Sequence, residues 1–285
     1  MRISLITAPY HLGHEGVGMG AGPDRLLDAG IVEELEEAGH EVEVVRVVPL
    51  QETTNEIGAT FEIVRRVSEA VSRAVGDGAF PAVLSGNCLS SVGIVAGLGR
   101  GVGVVWLDAH PDFNTPDGSL SGFADGMGLS VLTGTTWRTL RETVPGYRIV
   151  PEENVVLVGI RDIDPGERGR LDGSPIRVVE PEDAVEAIGP AVDALRERAE
   201  DVYLHLDLDV LDVSEGRANE YAAGGGLSAH AVDQVLAAVA GRLTVRGAAL
   251  TAYDPAADAD GRILPIAKRL LRRIVAEAPV TSRAS

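Results

Sequence analysis

Cysteine, lysine and net positive charge are all scarce in this 285-residue chain, and each scarcity closes a class of chemistry. Cys88 is the only cysteine, so no internal disulfide can form and an oxidising compartment has no support. Lys268 is the only lysine and stands in the basic run IAKRLLRRIVAE, which argues against a phosphate-loop lysine or a Schiff-base lysine. Nowhere do about 18 apolar residues run together. The amino-terminal MRISLITAPY is too brief an apolar stretch for a signal peptide, so a cytoplasmic location is the expectation. With 43 acidic residues against 25 basic ones the formal charge is -18, and nothing offsets repulsion from nucleic-acid phosphates or an anionic membrane. A cationic small molecule or a bound metal suits that balance.

What is present is a regular alternation. Short β-rich apolar runs occupy residues 3–8, 41–47, 82–85, 102–107, 155–159, 176–179, 202–207 and 247–251, and helical periodicity fills 23–38, 61–75, 184–199, 229–240 and 263–276 between them. Such alternation predicts a parallel sheet covered on both faces. No repeat or low-complexity linker interrupts it, so residues 1–285 read as one domain. The Gly-rich segment HLGHEGVGMGAG lacks the strand-to-helix register and distal acid of a dinucleotide site. Ligand chemistry in such a fold belongs at the carboxyl ends of the strands.

Two of those ends carry acids. The run VVWLDAHPDFN places Asp108, His110 and Asp112 at alternate positions, and VYLHLDLDVLD does the same with His205, Asp207 and Asp209. Carboxylates that converge in this way repel one another by several kcal/mol at about 4 Å unless a cation lies between them. Oxygen donors with one imidazole suit Mn(II) better than a structural zinc. A lone aspartate at a strand end commonly serves as a helix cap or turn residue instead, and Asp164 and Asp212 fit that description. His205 faces the same side, as a buried residue behind the ligands or as a direct ligand. His11 and His14 read as loop residues near the mouth, and the loop 214–226 places Glu220 and Tyr221 over the pocket with no role that its sequence reveals.

WLDAHPDFNTP and LDLDVLD resemble the two signature segments of the arginase, agmatinase and formiminoglutamase family, the binuclear-manganese ureohydrolases. APYHLG, GVGMGAGPDRLLDAGIVEELEEAGHEV and VVLVGIRDIDPGE extend the resemblance over most of the chain. It implies a three-layer α/β/α fold around a parallel, eight-stranded sheet, two Mn2+ ions, and a homo-oligomer, commonly a trimer or hexamer. By the same resemblance Asp108 and Asp207 bridge the two ions, Asp112 holds one, and His110 and Asp209 hold the other. The implied reaction is attack of a metal-activated hydroxide on a guanidino or amidino carbon of a small-molecule substrate. Asn114 matches a position near the substrate α-carboxylate, and Asp164 with Asp162 matches acids near its α-amino group, which favours an amino-acid-like substrate.

Three departures matter. Where the family reads Gly-Gly-Asp-His this chain reads SGNC, so Cys88 stands in place of a histidine ligand and the first metal site is expected to be the weaker one. Cys88 is either a soft ligand or a small core residue. One branch, the N-hydroxy-arginine hydrolases of cycloserine biosynthesis, resembles the chain here and in HLDLDVL and GIRDIDPGE. Asp125, in SGFADGMG, takes the place of a proton-shuttling histidine, as a catalytic group or as a charge partner for the substrate. Ala252, in LTAYDP, replaces a guanidinium-facing glutamate, leaving Asp254, two residues on, as a candidate substrate contact. The expected function is hydrolysis of a guanidino or amidino C–N bond, with N-hydroxy-arginine among the candidate substrates. The alternative is a ureohydrolase-fold binding or regulatory protein of impaired catalysis.

Overall fold

The computed structural model describes residues 1–49 and 55–278. Eight strands form one sheet: β1 (Arg2–Ala8), β2 (Glu41–Arg46), β3 (Phe80–Ser85), β4 (Gly103–Leu107), β5 (Val155–Val158), β6 (Arg177–Val179), β7 (Asp201–Asp207) and β8 (Thr244–Thr251). Their spatial order is β2-β1-β3-β8-β7-β4-β5-β6, and every pairing is parallel. β7 and β8 therefore lie between the first three strands and the next three, and the central four strands end side by side.

Side-chain alternation sends each strand's apolar residues into two separate cores. Leu5, Val105, Leu107, Leu204 and Leu206 pack against the helices Gly22–Asp28, Ile31–Glu37, Ala184–Arg196, Ala229–Ala240 and Ile263–Ala276. Ile6, Val83, Val104, Trp106 and Tyr203 pack on the other face against Glu56–Gly76, Ser90–Gly97 and Gly128–Leu132. The result is the three-layer α/β/α architecture. Among the described residues no helix is long and apolar enough to cross a membrane.

The differences from the sequence expectation have local causes. The helical pattern over 23–38 is split in two at Gly30, whose φ of 78° no helix accommodates. The third helix begins earlier than its apolar face, at Glu56, because the Asn55 side chain caps it by accepting from Gly58 N at 2.7 Å. Ser90–Gly97 carries no amphipathic signal since every residue in it is buried. β8 starts at Thr244, three residues before its apolar run, with an irregularity between Val245 and Gly247.

Ser90–Gly97 follows directly on Cys88 and presses against Glu56–Gly76 at Gly93, where an added Cβ would overlap the Val64 carbonyl oxygen. Gly93→Ala should force the helices apart and destabilise the protein by about 1–3 kcal/mol, read as a lowered urea midpoint at constant slope. An unchanged midpoint would show that this close approach is not needed.

Candidate metal centre

The carboxyl ends of β3, β8, β7 and β4 open into a cavity of about 300 Å3. Its wall includes Cys88, Asp108, His110, Asp112, Asn114, Asp125, Asp162, Asp164, Asp207 and Asp209. The side chains that meet there arrive by two routes. Asp108 and Asp207 continue the adjacent strands β4 and β7, whose Leu107 and Leu206 are paired in register. Strand parity does not carry the rest. Asp207 accepts from Asp209 N at 2.8 Å and starts a single 3-10 turn, Leu208–Val210, that returns Asp209 to the cavity. Asp112 reaches it from a loop by adopting φ 48°, a left-handed conformation unusual for a residue with a side chain.

Each carboxylate is held by named donors. Asp108 accepts from His110 N at 2.7 Å and Trp106 Nε1 at 3.0 Å. Asp209 accepts from Ala109 N and Asn219 Nδ2, both at 3.2 Å. Asp207 Oδ2 receives the Cys88 thiol at 2.9 Å and the Thr251 hydroxyl at 3.3 Å. His110 Nδ1 lies 3.4 Å from both Asp108 and Asp209. Asp112 Oδ2 is buried with no hydrogen-bond partner. Two sets of donor atoms lie within 4.8 Å of one another: Asp108, His110 and Asp209, and Cys88, Asp108, His205 and Asp207.

The electrostatics follow from the crowding. Burial, with Asp209 close by, pushes Asp108 up to about 7. Burial also holds Asp112 and Asp207 well above the usual carboxylate range, reinforced by Asp108 and Asp209 respectively. For His110 burial acts downward, but Asp209 and Asp108 overcome it and raise its pKa. Asp209, which burial alone would raise, is lowered by His110. Burial lifts the Cys88 thiol, with Asp207 adding to the shift, so it stands here as a neutral donor. His205 is held down to about 3 by burial and is a neutral imidazole.

Around this floor Asn114 Nδ2 donates to Asp164 at 2.7 Å, leaving the buried Asn114 Oδ1 unpartnered. Asp162 is exposed at the rim, 3.7 Å from His110 Nε2. Asp125 accepts from Asn87 Nδ2 at 2.7 Å and Leu89 N at 2.8 Å, and burial raises its pKa. Asp254 does not line the cavity. The φ of Ala252, 61°, breaks the strand alternation, so Asp254 turns away from the cavity wall and accepts from Ala256 N at 2.9 Å. Asp212 is a turn residue, accepting from Ser214, Gly225 and Gly226 backbone N–H groups. Phe123 and Tyr221 line the cavity and stack on each other, and His11, outside the lining, stacks on Phe123 as well.

Several participants carried no readable role. Glu167, in the segment GIRDIDPGE, lines the cavity, accepts from Phe113 N at 2.6 Å and is pushed up to about 7 by burial. Asn219 links Asp209 to the Ala252 carbonyl from a loop without periodicity. Arg161 ties the loop after β7 to the site through the Asp209, Leu211 and Ala223 carbonyls.

The profile of the arginase family matches residues 1–277. An arginase from Bacillus caldovelox is 30% identical over 296 aligned positions, covering 96% of this chain and 98% of that one. Its solved structure superposes with a TM-score of 0.87 at 26% identity over 100% of this chain and 99% of that chain. The arginase structure from Bacillus cereus gives 0.88 at 26% identity over the full length of both.

The pKa directions set a pH dependence for the metal-free protein. Asp112, Asp207 and His110 keep their protons to higher pH when folded than when unfolded, so the stability they contribute is complete at low pH and is lost as pH rises through their folded values. Above about pH 7 His205 is neutral in both states and no longer opposes this trend. Thermal stability of the metal-free protein should therefore fall between about pH 7 and 9, by about 1.4 kcal/mol per pH unit for each excess proton. A saturating divalent cation, by displacing those protons, should remove the decline. A metal-free melting temperature that rises over this interval would contradict the assignment.

Proposed function

The chain belongs to the arginase family, hydrolases acting on guanidino and amidino groups, and from that premise we propose that it cleaves a C–N bond of such a group in an amino-acid-like small molecule, using two Mn2+ ions. The observation that carries the reading is the convergence of four buried carboxylates and His110 on one cavity, with Asp112 Oδ2 buried and unpartnered. A buried carboxyl oxygen left without a partner beside like charges is a position that a cation would fill.

Asp108, His110, Asp112, Asp207 and Asp209, with Cys88 as a weaker donor, are the residues that would hold the ions. Ions held there would supply Lewis acidity and lower the pKa of water into the range of a nucleophile near neutral pH. The chain's own groups do the rest. Asp125, fixed by Asn87 and Leu89, receives a proton at its carboxylate and returns it to the departing nitrogen; its raised pKa brings it closer to the range a proton carrier needs. The acids Asp162, Asp164 and Glu167 suit a substrate amino group at the rim. No lysine or arginine side chain lines the cavity among the described residues, so a substrate carboxylate meets neutral hydroxyl donors such as Ser119 and Ser121.

Ala252 on the wall leaves no carboxylate where the family glutamate faces the guanidinium. That favours a guanidine of lowered basicity, such as N-hydroxy-arginine, over arginine. It also keeps open the second reading, a binding protein on the same scaffold. Assayed with Mn(II), a hydroxylated guanidine should be turned over with kcat/KM at least about tenfold above that of arginine, equal to about 1.4 kcal/mol. Efficient arginine hydrolysis would sink the preference, and binding of every compound without release of urea or a substituted urea would select the second reading.

Asp125→Asn should lower kcat by about 100-fold or more while leaving manganese content unchanged. Wild-type turnover in this variant would remove Asp125 from the chemistry.

A further inference from the structure

We propose that Tyr221 is a specificity-determining residue whose ring receives the planar cationic group of the substrate, in a cavity where Ala252 offers no carboxylate; the inference rests on the guanidino-substrate reading above. Apart from the His110 imidazole, Phe123 and Tyr221 carry the only rings on the cavity wall among the described residues. They come from separate loops, after β4 and after β7, and stack with centroids 5.6 Å apart and planes inclined by 26°. His11 also stacks on Phe123, at 6.0 Å. Phe123 is thereby engaged by two rings. Tyr221 has no second ring partner among the described residues and is 40% exposed, so part of its surface is free for a ligand.

One buried side chain ties Tyr221 to the Ala252 position. Asn219 Oδ1 accepts from Tyr221 N at 2.9 Å, and its Nδ2 donates to the Ala252 carbonyl at 3.0 Å. Burial raises the Tyr221 pKa, Glu220 adds to the rise, and Asp125 contributes as well, so the phenol lies in the field of the group assigned as proton carrier. The ring is thus held near both residues that set this site apart, Asp125 and Ala252. Elsewhere arginines cover aromatic rings: Arg141 lies over Tyr147 and Arg170 over Phe113, each 5.9 Å from the ring centroid. Among the described residues no lysine or arginine covers Tyr221 or lines the cavity. A substrate guanidinium supplies the absent cation, attracted to the ring face by about 0.5–2 kcal/mol. A ring gives less than a buried carboxylate would, so the preference for a guanidine of lowered basicity stands.

Calorimetric titration of the manganese-loaded protein with arginine and with citrulline, its uncharged ureido counterpart, tests this without requiring turnover. Tyr221→Leu should weaken arginine binding about tenfold and citrulline binding by less than about twofold, while Tyr221→Phe, which keeps the ring, should hold arginine within about threefold of the parent. Manganese content should be the same in all three proteins. Equal effects of Tyr221→Leu on the two ligands would reduce Tyr221 to part of the wall, a loss in Tyr221→Phe as large as in Tyr221→Leu would assign the effect to the hydroxyl, and a fall in manganese content would make it indirect; each overturns the proposal. A parent that binds arginine while the variants give any of these results sinks this inference alone. A parent that binds neither ligand sinks the amino-acid-like substrate reading with it.

Discussion

Asp108, Asp112, Asp207 and Asp209 meet in a pocket where each is more than nine-tenths buried, and their mutual repulsion is the constraint on which the local structure depends. At about 4 Å and an effective dielectric near 20, each pair of ionised acids costs about 4 kcal/mol. Without a cation the cluster must hold protons, which is why burial and neighbouring acids raise Asp108, Asp112 and Asp207 together. A divalent ion bound there would remove the penalty and supply catalytic power from the same interaction. Much of the site can be understood as a framework that keeps these acids close.

That framework is built from donors that have no part in the chemistry. Trp106 Nε1, the His110 and Asp209 backbone amides and Asn219 each occupy a lone pair and fix an oxygen. Arg161 braces the loop after β7 by donating to carbonyls, including that of Asp209. These contacts rest on two buried central strands, so the site is positioned by the most deeply packed part of the sheet and not by its loops alone.

The central strands were legible because burial on both faces writes continuous apolar runs, and the acids at the ends of two of them were legible because they interrupt those runs abruptly. Parity then failed in instructive places. Asp209 comes back by a helical turn, Asp112 by a left-handed backbone, and Asp254 is lost to the site because Ala252 is left-handed as well. None of these conformations leaves a pattern in a single chain. The helix Ser90–Gly97 was silent because uniform burial erases periodicity, and Asn219 and Glu167 depend on long-range contacts that sequence spacing does not encode. His205 was visible by its position, but its orientation required the hydroxyls of Ser91 and Tyr203.

The central claim is that cations, not protons, complete the acid cluster in the working protein. Diffraction from crystals grown with Mn(II), recorded on either side of the manganese absorption edge, tests it directly. Two anomalous peaks are expected beside Asp108 and Asp207, the one nearer Asp112 and Cys88 at lower occupancy. No anomalous peak at these carboxylates under saturating manganese would contradict it.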